Sequence, residues 1–240
     1  MEKDIDRVIL KLSGELFGDD GENIDFSKYD GVAKKLISIK ERSGAQLAMV
    51  VGGGNIFRGR QAISGVDHTE ADSMGMLATV INGIGLRDAL VRNGAIDTRL
   101  MTAFNLPEMA EPYIKLKGRH HLQNNRMVII SGGLGKPGFS TDSAVAQYAD
   151  ELQCRIVLKA STVDGVYNKD PKKCDDAVRF KEISFQEALE RRLEVMDATA
   201  FAMCMRSNIP IFVFNICQLD RIPEVIGGDY SFGTLIKKLN

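Results

Sequence analysis

The sequence predicts an α/β protein with a mostly parallel sheet and helices on both faces. Short apolar, β-branched runs alternate along the chain with stretches of helical character, which is the order of β-α-β units. The central runs are continuously apolar, as in strands that are covered on both faces. The chain has 240 residues and can bury a sizeable core without disulfides or a structural metal.

The elements are predicted in turn from their local signals. Helices begin at Asp25, at about Glu70, near Thr141, at the Ser184–Glu187 capping box and at Asp197. Glycines at positions 44 and 94 end the first two of these helices. The apolar runs predict strands at residues 8–12, 47–51, 98–101, 127–130, 156–158, 211–214 and 234–236.

Composition narrows the classes of function and compartment. Lysine and arginine total 31 and aspartate and glutamate 32, so no global basic excess predicts nucleic-acid binding. No apolar run approaches the roughly 18 residues that would predict a membrane span. The first residues lack the order of a signal peptide, and the four cysteines lack metal or disulfide spacing. We therefore expect a cytoplasmic protein with free thiols and neither nucleic-acid nor membrane partners.

Glycine-rich loops predict a phosphate site at one edge of the sheet. Three predicted strands end in glycines, within residues 11–14, 52–55 and 132–138. Ligands of open parallel sheets bind beyond the carboxyl ends of the strands, where bare backbone N–H groups suit phosphate oxygens. Any one of these loops could simply be a tight turn. Their placement on a shared edge favours a ligand site.

Two common nucleotide motifs do not fit. Residues 133–138 match Gly-x-Gly-x-x-Gly formally, but Pro137 and Gly138 delay the helix, and the next strand ends in Lys159-Ala160 without a ribose-binding acid. The Walker loop is absent because proline follows Lys136. A nucleotide enzyme with this sequence would need another way to hold phosphate.

Four charged residues are candidates for that role. Lys11 interrupts an apolar strand at its carboxyl end, where it could stabilise a transferring phosphoryl group or simply extend to solvent. Arg58 follows the triple glycine and could clamp an anion. Asp142 lies at the start of a predicted helix, where it could cap the helix or orient Lys11. Asp72, predicted in the first turn of the long helix, suits the helix dipole or a ribose hydroxyl.

Six sequence blocks, taken together, resemble the bacterial uridylate kinases of the amino-acid kinase superfamily. Gly-Gly-Gly-Asn at 52–55 and Val-Asp-Gly-Val at 163–166 are typical of the superfamily, whereas Asp-x-Met-Gly-Met-Leu-Ala-Thr at 72–79 is much more specific to uridylate kinases. The resemblance covers nearly the whole chain. Its blocks are residues 11–15, 52–59, 74–79, 140–143, 163–167 and 195–200.

The resemblance implies a fold, a reaction and partners. The fold would be a three-layer α/β/α sandwich, the amino-acid kinase fold, in a single domain over residues 1–240. An acceptor lobe would span about 1–158 and an ATP nucleoside lobe about 159–240. The reaction would transfer a phosphoryl group from ATP, carried with Mg²⁺, to UMP, giving ADP and UDP in pyrimidine nucleotide synthesis. A homohexamer and GTP or UTP effectors are also implied. The alternatives are a kinase of another small acceptor on the same fold and a non-catalytic ligand-binding or storage protein.

The resemblance also implies roles for individual residues. Lys11, Arg58 and Asp142 would be catalytic, with Asp142 organising the lysine. The remaining ATP contacts would be Leu12, Ser13, Gly14, Gly54, Ser161, Tyr167 and Asp170, with Lys11 and Arg58. UMP would contact Gly53, Asp72, Leu134, Gly135, Lys136, Pro137, Gly138, Phe139, Ser140 and Thr141. No residue is expected to be a resident metal ligand.

The acceptor loop departs from the pattern of this family. Related sequences usually have Gly-Thr-Gly-Asn-Pro-Phe-Phe-Thr-Thr-Asp, where this chain has Leu134, Lys136 and Gly138 in place of a hydroxyl, an amide and an aromatic residue. Because the resemblance places this loop against the uracil, we expect these differences to affect how strictly uracil is selected. Many members of the family are activated by GTP. Arg87 and Arg99 fall at positions that match the effector site of those members, and Val91 replaces a histidine that some of them have.

Overall fold

A nine-stranded sheet forms the middle layer of the molecule. The computed structural model describes residues 5–18, 21–58, 65–193 and 195–239; Gly59 of the second sequence block lies outside them. The strand order is β4-β3-β5-β2-β1-β6-β8-β9-β7. The sheet is parallel except that β9 runs antiparallel to β8. The strands are β1 Arg7–Leu12, β2 Gln46–Val51, β3 Arg99–Thr102, β4 Glu111–Pro112, β5 Val128–Ser131, β6 Ile156–Ser161, β7 Glu182–Ser184, β8 Ile211–Asn215 and β9 Gly233–Lys237.

Helices cover both faces of this sheet, so the three-layer α/β/α prediction is confirmed. Side chains alternate between the faces of each strand. In β1, Val8, Leu10 and Leu12 join the core formed with α1 and α2, whereas Ile9 joins the core formed with α4 and α6. The helices are α1 Phe26–Ser43, α2 His68–Arg92, α3 Lys115–Gln123, α4 Thr141–Glu151, α5 Phe185–Glu190, α6 Ala198–Ser207 and α7 Ile222–Ile226.

Several element boundaries differ from the sequence predictions. Helix α2 begins at His68, capped by Asp67, two residues before the predicted start. Asp72 therefore lies in its second turn rather than its first. The prediction missed β4, α3, β7 and α7, and it ended β6 three residues early. The implied lobe boundary at residues 158–159 falls inside β6, so the sheet runs across it without a break.

Helix α2 is long and apolar enough, by length and composition alone, to cross a membrane. In this fold it packs against α1 and the sheet, and Ala71, Ala78, Leu86 and Leu90 are buried in the molecule. It is therefore a core helix of the sandwich.

The buried Asn82 of α2 links three parts of the molecule. Its side-chain oxygen accepts a hydrogen bond of 2.6 Å from the Tyr29 hydroxyl in α1. Its amide donates to the carbonyl of Gly52 and to the side chain of Asn55, both at 2.7 Å. Buried polar groups of this kind need their partners. Asn82 thus fixes the loop after β2 to helices α1 and α2.

Asn82→Ala is expected to destabilise the protein by about 2–4 kcal/mol, because the Tyr29 hydroxyl and the Gly52 carbonyl would lose a buried partner. Urea unfolding measures the change. The matched variant Tyr29→Phe removes only one donor and should cost about 1 kcal/mol. Equal losses in the two variants would contradict the central position of Asn82.

Candidate active site

Two lysines lie side by side at the carboxyl edge of the sheet. Parallel pairing of β1 with β6 places Lys11 in register with Lys159. Each lysine directly follows three apolar residues of its strand. Because side chains alternate between the two faces of a strand, both lysines point toward the face that α4 covers. The fold therefore concentrates two ammonium groups below the first turn of one helix.

Asp142 bridges these two lysines. It lies in the first turn of α4, which is capped by the Ser140 hydroxyl. Its Oδ2 atom lies 2.7 Å from the Lys159 Nζ atom, and its Oδ1 atom lies 3.3 Å from the Lys11 Nζ atom. The Asp142 side chain is 15% exposed and those of Lys11 and Lys159 are 18% and 13% exposed. One carboxylate in contact with two ammonium groups leaves a positive charge available to an anion.

The environment changes the pKa values of Asp142 and Lys159. Burial by itself would raise the pKa of Asp142, but the charges of Lys11 and Lys159 outweigh burial and hold that pKa below its usual value. Burial lowers the pKa of Lys159, and the charge of Asp142 opposes this effect only in part. Asp142 is thus an ionised organiser of the lysines and a poor proton acceptor at neutral pH.

Two glycine loops approach each other beside the lysines. A Cβ atom on Gly14 would lie 2.4 Å from the Asn55 side chain and 2.7 Å from the backbone nitrogen of Gly54. A Cβ atom on Gly53 would lie 2.8 Å from the Cβ atom of Ala78 in α2. Such distances require glycine at both positions. The loops after β1 and β2 therefore pack closely against each other and against α2 at the edge where Lys11 lies.

Arg58 lies over the second of these loops. Its Nε atom donates to the carbonyl of Gly54 at 2.9 Å, and its Nη2 atom pairs with Glu15 at 3.1 Å. The Arg58 side chain is about half exposed. Because an exposed ion pair of this kind is weak, the guanidinium is available to an anionic ligand.

The loop between β5 and α4 is anchored at three points. The amide of Gly132 donates to the Thr79 hydroxyl, and that of Gly138 donates to Asp72, both at 2.7 Å. The Tyr148 hydroxyl donates to the carbonyl of Gly133 at 2.8 Å. Asp72 and Thr79 both belong to α2. The long helix thus holds the loop on which the resemblance places the acceptor nucleotide.

Within this loop the residues differ in exposure. Leu134 is half-buried against the core below α4, and Gly135 is half-buried with φ of 71°. Of the candidate acceptor residues, Gly138 contacts Asp72 directly, whereas Ser140 is the cap of α4 and Thr141 is its first residue. The exposed members are Lys136, Pro137, Gly138, Phe139 and Ser140.

The candidates for the ATP nucleoside lie beyond β6. Ser161 is the last residue of β6, two residues after Lys159. The Tyr167 hydroxyl donates to Asp164 at 2.6 Å, and Asp170 accepts from the amide of Lys172 at 3.0 Å. Strand geometry links Ser161 to the lysine cluster. Tyr167 and Asp170 form their hydrogen bonds within their own segment.

A magnesium ion that arrives on a nucleotide needs few ligands from the protein. Among the residues that the structure describes, no group of three His, Cys, Asp or Glu side chains could hold a metal ion. Magnesium commonly binds substrate phosphates and water together with one or two carboxylates. Asp142 is a carboxylate at this site that could contribute.

Comparison with known proteins identifies the family of this chain. The family described as "Amino acid kinase family" matches residues 6–215. The chain belongs to the amino acid kinase family. It is 44% identical over 232 residues to the uridylate kinase of Corynebacterium diphtheriae, a match that covers 96% of this chain and 94% of that protein.

Solved structures of this family have the same architecture. The structure titled as UMP kinase from Bacillus anthracis has a TM-score of 0.93 at 35% identity, over 98% of this chain and 97% of that one. The UMP kinase from Ureaplasma parvum has a TM-score of 0.90 at 34% identity, over 99% and 100% of the two chains.

Sequence reasoning missed Lys159 as a member of the site. A signal was present, since Ile-Val-Leu-Lys at 156–159 parallels Val-Ile-Leu-Lys at 8–11. Both segments place a lysine after an apolar strand, yet the sequence argument used Lys159 only as a lobe boundary and as evidence against a ribose-binding acid. Asp142 was identified, but its second partner was not.

Asp142→Asn should lower the free energy of unfolding at pH 7 by about 3 kcal/mol, because it leaves two partly buried lysines without a charge partner. Since the folded-state pKa of Asp142 is lowered, its stabilisation is present above the unfolded-state value and is lost as pH falls through the folded-state value. The difference between wild type and variant should therefore be constant from pH 7 to about pH 5 and smaller at about pH 3. Urea unfolding across this range measures it.

The control is Asp175→Asn, the same change at an exposed acid. It should leave stability unchanged at each pH. If the difference in the free energy of unfolding between wild type and Asp142→Asn were as large at about pH 3 as at pH 7, the argument from the charge of Asp142 would be wrong.

Proposed function

We propose that this protein transfers the terminal phosphoryl group of ATP to UMP, giving ADP and UDP. The observation that carries the proposal is the cluster of Lys11, Lys159 and Asp142 beside two glycine loops at the carboxyl edge of the sheet. The close likeness to proteins named uridylate kinase and UMP kinase supports UMP as the acceptor.

The cluster suits an acceptor that is already an anion. A nucleoside monophosphate has a second phosphate pKa near 6, so its oxygen attacks at neutral pH without a general base. Asp142, ionised and engaged by two lysines, is placed to hold cations rather than to remove a proton. Catalysis then depends on positioning and on charge neutralisation.

Each cation has a place in that scheme. Lys11 would neutralise charge on the transferred group, and Lys159, held by Asp142 and by the carbonyl of Val195 at 2.7 Å, would add a second fixed charge. Arg58 would close over the phosphates after release from Glu15. The glycine-loop amides would bind phosphate oxygens, and Asp72 would accept from the ribose of UMP.

We propose four further features: magnesium, a homohexamer, a cytoplasmic location and a place in pyrimidine nucleotide synthesis with nucleotide effectors. Magnesium would come with ATP and neutralise phosphate charge there. Exposed apolar side chains at Met74, Leu77 and Ile81, which share one face of α2, support an interface between copies of the chain, and the family resemblance supports a homohexamer. Four free cysteines suit the reducing cytoplasm. A place in pyrimidine nucleotide synthesis and effector binding by GTP or UTP follow from the proposed reaction and family.

The decisive test is formation of ADP from magnesium-ATP with UMP, CMP, dCMP, acetylglutamate and carbamate offered separately. Turnover of UMP is the expected result. Turnover of CMP at a similar rate would keep the chemistry and assign the relaxed selectivity to Leu134, Lys136 and Gly138. A folded protein that binds ATP and turns over none of the acceptors would reject the kinase proposal.

Lys11→Ala is expected to lower kcat by about 10²-fold or more while UMP binding survives, because a charge donor to the transition state is lost. Steady-state kinetics and calorimetric titration of UMP measure the two quantities. Lys136→Ala, which removes an exposed lysine from the acceptor loop, is the comparison and should have a much smaller effect on kcat. Wild-type turnover by the Lys11 variant would disprove its role.

Asp72→Ala is expected to weaken UMP about 10-fold or more, because both the proposed ribose contact and the bond to the Gly138 amide are lost. ATP affinity should change little. Titration of each nucleotide into wild type and variant gives the comparison. Equal losses for UMP and ATP would count against a ribose contact at this carboxylate.

A further inference from the structure

Asp197 joins the first turns of two helices that are distant in sequence. It caps α6, where its Oδ1 atom accepts from the amide of Ala200 at 2.8 Å. The same carboxylate accepts from the Ser143 hydroxyl at 3.2 Å and from the Ser140 hydroxyl, both at the start of α4. The helix cap explains only the first of these bonds.

The bond from Ser140 is chemically specific. The Ser140 Oγ atom accepts from the amide of Asp142 at 2.9 Å and from that of Ser143 at 3.2 Å. A hydroxyl oxygen has two lone pairs, and these two amides use both of them. The hydroxyl must therefore donate its hydrogen, and its partner must be an acceptor. A carboxylate at position 197 meets this need, whereas an amide NH₂ group there does not.

A second bond ties the same segment to the lysine cluster. The carbonyl of Val195, two residues before Asp197, accepts from the Lys159 Nζ atom at 2.7 Å. Helices α4 and α6 also pack against each other along their lengths. The segment before α6 thus holds Lys159 directly and the backbone of Asp142 through Ser140.

We propose that Asp197 is a positioning residue for phosphoryl transfer. Through Ser140 it fixes the first turn of α4, and so it sets the place of Asp142 between Lys11 and Lys159. The inference rests on the proposed function for its effect on turnover. It predicts that the acid at 197, rather than any helix-capping residue, is required.

Asp197→Asn tests this requirement. Asparagine is a good helix cap and keeps an oxygen for the amide of Ala200, so α6 should form. Its NH₂ group would meet a hydroxyl that can only donate. We expect kcat with UMP to fall about 10-fold or more while KM for ATP changes by less than about 2-fold, because misplaced charges affect the transition state most.

A double-mutant cycle with Ser140→Ala isolates the bond. Without the hydroxyl, the conflict at position 197 disappears, so the double variant should be about as active as Ser140→Ala alone. Ser184→Ala is the control, since it removes the cap of α5, where Ser184 accepts from Glu187 at 2.9 Å. It should lower stability and leave kcat unchanged. Additive losses in the cycle, or wild-type kcat in Asp197→Asn, would overturn the inference.

Amide hydrogen exchange gives a readout that does not depend on turnover. The amides of Asp142 and Ser143 should exchange about 10-fold faster in Asp197→Asn, whereas the amide of Glu187 should not change. If the exchange rate of the Asp142 amide were unchanged, the proposal that Asp197 fixes the first turn of α4 through Ser140 would be rejected. If the wild type is inactive with UMP but the Asp142 amide still exchanges faster in Asp197→Asn, the proposed function is rejected and the positioning of α4 by Asp197 is upheld.

Discussion

The contact of one carboxylate with two lysines is the constraint on which the site depends. Lys11 and Lys159 are mostly buried, and Asp142 balances one of their two charges by direct contact. Two buried ammonium groups would otherwise repel each other and raise the free energy of the folded protein. The remaining positive charge of these three side chains would be satisfied by an anion, which in the proposed reaction is the transferring phosphoryl group. In the proposed reaction, the charge that is costly in the free protein would stabilise the transition state once substrate is bound.

The parallel sheet explains how this contact forms. Register between β1 and β6 sets the lysines side by side, and alternation along each strand directs both to the same face. Helix α4 then brings Asp142 to them. The glycine loops can approach the same edge because Gly14 and Gly53 have no side chain to obstruct Asn55 and Ala78. Helix α2 supports the arrangement twice, through Asn82 at the loop after β2 and through Thr79 and Asp72 at the loop between β5 and α4.

Much of this could be predicted from local patterns. Continuous apolar runs gave the buried strands, because a strand covered on both faces needs apolar residues throughout. Helix α3 was missed because it is polar and contains Gly118, and it buries only that glycine, His121 and Leu122. Strands β4 and β7 are two and three residues long, too short for any periodicity to appear. Their formation depends on pairing with β3 and β9.

The sequence by itself determined the fold class, the edge at which the ligand site lies, and the identities of Lys11, Arg58, Asp72 and Asp142 as candidates. These follow from periodicity, from glycine placement and from recognisable motifs, all of which are local properties of the chain. Only the tertiary structure decided that Lys159 shares Asp142 with Lys11 and that Asp197 reaches Ser140. Each of those contacts joins residues from different elements, and a hydrogen bond across such a distance in sequence depends on strand register and helix packing, which no local pattern specifies.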